Sequence, residues 1–242
     1  MTINRRNIHA VVGLALAALC GTSAHAAAPT LKQFESSEIK TMSMSSEITK
    51  DNQAELKKID GDIALAYRLH RGSMKYMQPG KLRIEATIPH LATGYYIING
   101  NRKCTVGPLY HRVQDITGAP GKKQTLLDFG FIPPELFDDY NATFLRKDGA
   151  DYVFQISPKN GETNKDIVWV DPKTRITVKR LNYNQQGKLV KWFLYKNPVK
   201  LSVGVYVPTT VELYNPQNKL AGVTTYQSVH VNGPVDPSLF NF

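Results

Sequence analysis

Four histidines follow residue 28: His70, His90, His111 and His230. No two of them have the i,i+2 or i,i+4 spacing that sets two imidazoles on one metal, so each is expected to be a solvated or hydrogen-bonded side chain. Asp138-Asp139 is a carboxylate pair without a third ligand nearby, which fits the end of a short helix better than a metal or acid–base site. Gly118-Ala119-Pro120-Gly121 followed by Lys122-Lys123 has the glycines and lysines of a phosphate loop, but it lacks the terminal Lys-Ser/Thr and the helix that must follow. No nucleophile elbow and no His-Glu-x-x-His pattern occurs. These residues imply no catalysis and no cofactor or metal.

The basic balance needs a different account. Lys and Arg number 30 against 20 Asp and Glu, a formal net charge of +10. Part of that charge belongs to a leader. Arg5 and Arg6 precede the apolar run Val11 to Leu19, and Ala24-His25-Ala26 and Ala26-Ala27-Ala28 offer small-x-small cleavage sites. Residues 1–28 therefore read as a cleaved signal peptide, and residues 29–242 as one exported, periplasmic domain. Cys20 lacks the Leu and the small residue that lipid modification wants before it; Ala17 and Leu19 stand there. The mature chain carries +8 and keeps one cysteine, Cys104, which is expected to be buried. An exported basic protein meets anionic lipid or an acidic envelope partner rather than nucleic acid.

The elements that would position any site are mostly strands. Thr30 caps a short helix with Leu31 and Phe34 on one face. Thr41 to Ile48 alternates as a strand would, and a helix is expected after Asp51-Asn52, weakened at Gly61 and ambiguous from Ile63 to Leu69. From residue 72 the period is two: Leu82, Ile84, Ala86 and Ile88 on one face, Lys81, Arg83, Glu85 and Thr87 on the other. Asn99-Gly100 is a strong hairpin signal. Residues 107–141 interrupt the rhythm as a long connection with a short helix from Pro134 to Tyr140. Seven further strands follow, separated by turns such as Asn184-Gln185-Gln186-Gly187. In the strand around Trp192 both faces are apolar, Trp192 and Leu194 against Phe193 and Tyr195, so both are covered or one lines a cavity.

The order of these pieces resembles a known family. MKYMQPGKLRIEA, YYIINGNRK, DFGFIPPELF, VWVDPKTRITVKRLNYNQQGKL, YVPTTVEL and the terminal VNGPVDPSLFNF succeed one another as in the LolA-like outer-membrane lipoprotein-sorting proteins, over most of residues 30–242. The resemblance implies a mainly β (α+β) fold: a curved open antiparallel sheet, a half-barrel of about eleven strands, with helices closing its concave face. It implies a monomeric, non-enzymatic periplasmic carrier of lipoprotein acyl chains or free lipid. Its partners would be an inner-membrane release complex and an outer-membrane acceptor. Leu82, Ile84, Ile97, Trp169, Trp192, Tyr206 and Tyr226 are the expected cavity wall, and Gln78, Phe34 and Phe137 the expected lid or switch. Carriers of this family place an Arg before the early Pro, where it bonds the lid. Gln78 stands there instead and lacks the charge-assisted strength of a guanidinium. Two other readings use the same scaffold: an envelope sensor or protein-interaction module, and a cofactor-free enzyme working in the cavity.

Overall fold

The computed structural model describes residues 27–88, 92–107 and 110–242. The signal-peptide features through Ala26, with Cys20, and also His90, lie outside the described residues. The first half of the chain contributes β1 (Thr41–Asp51), β2 (Arg71–Met77), β3 (Lys81–Ile88), β4 (Ala92–Asn99), β5 (Arg102–Gly107) and β6 (Tyr110–Asp115). The second half contributes β7 (Tyr140–Asp148), β8 (Asp151–Pro158), β9 (Lys165–Val170), β10 (Thr177–Tyr183), β11 (Leu189–Lys200), β12 (Tyr206–Tyr214) and β13 (Leu220–Val231). All thirteen join one open antiparallel sheet in the order β6-β5-β4-β3-β2-β1-β13-β12-β11-β10-β9-β8-β7. Two meanders are thus sewn together where β1 pairs with β13. The strand count exceeds the expected eleven in part because β6 occupies the start of what reads as a long connection.

The register assigns faces. Met42 pairs with Tyr76, Tyr76 with Leu82, and Leu82 with Ile98, so these four share one face. The same face continues through Tyr226, Val211, Tyr195, Phe193, Arg180, Val168 and Phe154. Segments without strands cover it: a 3-10 turn at Leu31–Phe34, α1 (Gln53–Lys57), α2 (Gly61–Ala66) and residues 116–139 with α3 (Leu136–Asp139). This covered side is the inner face.

Curvature follows from contacts that a flat sheet forbids. Glu135 bonds Tyr76 on β2, while the adjacent Leu136 packs in a cluster with Phe154 of β8 and Val168 of β9. The order places β9 six strand spacings from β2, about 29 Å across a flat sheet. The sheet must therefore wrap around residues 116–139. Register slips at Ser43/Ser45 and Ile48/Lys50 of β1, and others in the β9–β10, β10–β11 and β7–β8 pairs, supply the local bends.

The helix expected after Asn52 is two helices. Asn52 caps α1 through Glu55 N (3.3 Å), and Asp60 caps α2 through Asp62 N (2.7 Å) and Ile63 N (3.1 Å). A side chain that strong as an N-cap restarts the helix at Gly61 rather than letting it run through. The pair docks by Leu56 and Ala64 against Leu213 and Ala221. Tyr67 enters a space that only glycine leaves open: a Cβ on Gly222 would lie 2.1 Å from Tyr67 Cε1. The C-terminal tail crosses the other, outer face of the sheet. Phe240 is fully buried against Ile97 and Cys104, with Arg83 donating to Leu239 O (2.9 Å) and Asn99 to Phe240 O (3.2 Å).

Candidate functional site

Residues 116–139 run through the concavity as a plug. Leu126 and Phe129 join the core cluster of Met42, Met74, Tyr76, Leu82 and Ile98, and Phe131 belongs to it too. Leu127, Ile132 and Leu136 join the opposite cluster of Phe154, Ile156, Val168 and Val170, together with Leu31 and Phe34. With Ile116, also in the first cluster, seven apolar plug residues therefore occupy the space that an open half-barrel would offer. Two clefts among the described residues are small. One of about 240 Å³ lies between the Leu31 turn, Phe137, Tyr140 and Lys159, and one of about 80 Å³ lies between Phe131, Arg175 and Tyr206. Both fall below the range of about 300–1,000 Å³ usual for small-molecule pockets.

Polar pins hold the plug to strands on both wings. Asp128 sits at the third position of a 3-10 turn, Leu126–Phe129, and closes a capping box with Thr125. Its other oxygen accepts from Arg180 Nη1 at 2.7 Å. Arg180 also donates from Nε to Asp166 Oδ2 at 2.8 Å, and Asp166 accepts from Asn182 as well. The guanidinium side chain is 13% exposed. Burial disfavours its charge, and the Asp166 and Asp128 carboxylates outweigh that, so it stays protonated well above the ordinary range. Tyr195 donates to Leu127 O (3.2 Å), Thr177 N to Gly130 O (2.8 Å), and Tyr96 to Lys122 O (3.4 Å).

On the opposite wing, where Tyr96 also lies, the buried pin is Tyr76, whose hydroxyl donates to Glu135 Oε1 at 2.9 Å. Burial, and then the Glu135 charge, push the Tyr76 phenol far up. Glu135 Oε2 has no partner, an unpaired buried carboxylate oxygen that makes this pin costly to keep and easy to lose. Sequence periodicity places Tyr76 on a strand face but gives no sign of a partner 59 residues away.

The structure distributes the expected wall residues over both faces. Leu82, Ile84 and Tyr226 belong to the inner-face cluster, with the Tyr226 ring 5.8 Å from Phe129. Ile97 lies on the outer face beneath Phe240, since it pairs with Arg83 rather than with an inward residue. Trp169 and Trp192 are also on the outer face. Trp192 stacks on Tyr214 at 3.9 Å, Lys179 Nζ lies 4.8 Å from the Trp169 ring and 5.3 Å from the Trp192 ring, and the indoles donate to Asp148 and Asn218. The two-sided apolar character of β11 is thereby explained: on the inner face Phe193 packs against the α1–α2 pair and Tyr195 against the plug, and Trp192 builds an outer aromatic–cation ladder. Tyr206 lines the smaller cleft.

Of the expected lid residues, Phe34 is buried against Phe154 (6.0 Å between rings), and Phe137 lies half-buried beside that cluster. Gln78 accepts from Lys40 Nζ at 2.9 Å. The Tyr76–Glu135 bond makes the strand-to-plug contact instead. Cys104 is buried, with Sγ 3.2 Å from His111 Nε2. Asp139 pairs with Lys123 (3.6 Å), and Gly118 O accepts from Asn160. Among the described residues no cluster of three or more His, Cys, Asp or Glu side chains is placed to hold a metal, and no helix is long and apolar enough to cross a membrane.

An open antiparallel sheet wrapped around segments of its own chain defines the LolA-like class of fold. Solved structures share it. A DUF1329 family protein from Desulfovibrio piger superposes with a TM-score of 0.60 at 15% identity, covering 87% of this chain and 92% of that one. A LolA superfamily protein from Nitrosomonas europaea gives 0.58 at 14%, covering 88% and 98%. An outer membrane lipoprotein-sorting protein domain from Vibrio parahaemolyticus gives 0.52 at 14%, covering 87% and 93%. At such identities the likeness is one of fold. A family model described as "uncharacterized protein" matches residues 121–242, half of the chain, and the chain belongs to that family. No curated protein matches it in sequence.

Proposed function

We propose that the protein is an exported, monomeric carrier or binder of acyl chains, from lipoproteins or other lipids, acting in the periplasm as one domain, residues 29–242, after loss of residues 1–28. The observation that carries this reading is the plug. The inner face of a large open sheet is closed by a short-element segment pinned through a few side chains, and such a closure can be exchanged for another apolar occupant. The shared fold of a lipoprotein-sorting domain supports the same conclusion.

Magnitudes constrain how the exchange works. Withdrawing a 16-carbon chain from water contributes on the order of 10 kcal/mol, at about 0.8 kcal/mol per CH₂. Exposing the seven apolar plug residues costs about 1.5–3 kcal/mol each, roughly 10–21 kcal/mol together. A single chain therefore does not drive full ejection. The plug shifts within the concavity, or the cargo brings more than one chain.

The test is native mass spectrometry of protein gently purified from the periplasm, followed by titration with a fluorescent fatty acid. Retained lipid or lipoprotein, with saturable binding, is expected. Lipid-free protein that fails to bind the probe overturns the carrier reading.

A further inference from the structure

We propose that Arg180 is a head-group site for anionic amphiphiles, and that Asp128 of the plug occupies it in the closed state as a built-in competitor. This rests on the acyl-carrier reading and adds the chemical class of the ligand. Two carboxylates meet the guanidinium, and they differ in how they are attached. Asp166 comes from β9, in register with Asn182 of β10, and belongs to the sheet itself. Asp128 comes from the plug and leaves when the plug shifts.

Once Asp128 has gone, Arg180 retains one carboxylate and has part of its donor fork unmet in a site from which water is largely excluded. Such a fork recruits another planar or tetrahedral anion. Lys191, paired with Asn182 on the next strand and on the same face, adds a second basic group, one whose charge burial disfavours and a bound anion would favour. The occupant in the closed state shows what the site accepts. Asp128 is a carboxylate flanked by Leu126, Leu127 and Phe129, whose side chains enter both apolar clusters. A carboxylate leading into buried hydrocarbon is the chemistry of a fatty acid, and a phosphate monoester of a long alcohol presents the same charge.

The experiment measures binding of dodecanoate, dodecyl phosphate and dodecanol to the full mature chain by calorimetry at pH 8 and low salt. The wild type is expected to prefer at least one anion to dodecanol by tenfold or more, and the tighter anion tells carboxylate from phosphate. Asp128→Asn, which keeps the shape of the turn, is expected to tighten all three ligands by tenfold or more. Arg180→Gln combined with Asp166→Asn keeps the charge balance and is expected to reduce the anion-to-alcohol ratio to near one. The wild-type ratio alone tests the site should that double variant not fold. Equal binding of alcohol and anions by the wild type overturns the head-group site and leaves the carrier reading standing. Binding of none of the three, to wild type or Asp128→Asn, overturns both. An unchanged affinity in Asp128→Asn overturns the competitor role.

Discussion

Gly130 ends the plug's central turn, and replacing it with alanine separates a displaceable plug from a permanent piece of core. Its φ is +91°, and its N–H bonds back to Leu126 O and Leu127 O, while its carbonyl accepts from Thr177. A Cβ there would sit 2.9 Å from Pro208 Cγ and 3.0 Å from Tyr195 Cδ1, closer than the ordinary contact range of 3.4–4 Å. Alanine meets two costs in the closed state: about 1–2 kcal/mol for a left-handed backbone and about 1–3 kcal/mol for overpacking. Both costs are relieved when the plug lifts. At about 1.4 kcal/mol per tenfold, a penalty of about 2–5 kcal/mol raises the plug-open population by roughly 30-fold or more. Apparent affinity for an acyl ligand that needs the open state rises by the same factor, because it scales with the fraction competent to bind. Each kcal/mol lost also lowers Tm by about 2–4 °C for a domain of this size. Gly130→Ala is therefore expected to melt lower and bind a fluorescent fatty acid more tightly. A lower Tm with unchanged affinity would refute the reasoning, since the plug would then be core that never moves.

Further outcomes follow from the buried phenols and the tail. Burial raises the phenols of Tyr76, Tyr140 and Tyr195 above their ordinary value, and burial together with Asp128 pushes Tyr96 up to about 12. The folded state keeps these protons while the unfolded chain loses them near pH 10, so their contribution is complete below pH 10 and is lost as pH rises through the folded values. Thermal melts from pH 8 to 12 are expected to fall only above pH 10, with Tyr96→Phe reducing the slope by up to about 1.4 kcal/mol per pH unit. Free titration of all tyrosines at 295 nm near pH 10, with the fold intact by circular dichroism, is the contrary result. On the outer face, Phe240→Ala is expected to cost about 3–5 kcal/mol. It also uncovers Cys104, whose thiol is raised chiefly by burial. Thiol labelling that is slow in the wild type and fast in the variant confirms the tail as the cover; equal rates would contradict it.

Much of this architecture is legible without coordinates. Alternation in residues 81–88 and after residue 140, with turn residues between the runs, specifies antiparallel strands because a half-buried pleated surface has a period of two. The capping potential of Asn52 and Asp60 is local too, but the helical spacing of Leu56, Ile59 and Ile63 runs across the Asp60 cap and reads as one helix. Strand β6 was hidden because His111, Arg112, Gln114 and Asp115 give an edge strand no apolar alternation to display.

The amino-acid sequence by itself determined that the chain is mainly β, where most strands and turns fall, and which residues share a face within each strand. It did not determine which face is inner. In β11 both faces carry large apolar side chains, and only the wrap of the sheet turns Phe193 toward α1 and α2, Tyr195 toward the plug, and Trp192 away from both. Nor did it reveal the role of residues 116–139, whose irregular rhythm reads as a mere connection. The pins Tyr76–Glu135 and Arg180–Asp128 join residues 59 and 52 positions apart. Periodicity is a property of neighbours along one strand, whereas such pairs exist only because curvature brings the two wings of a thirteen-stranded sheet onto one segment.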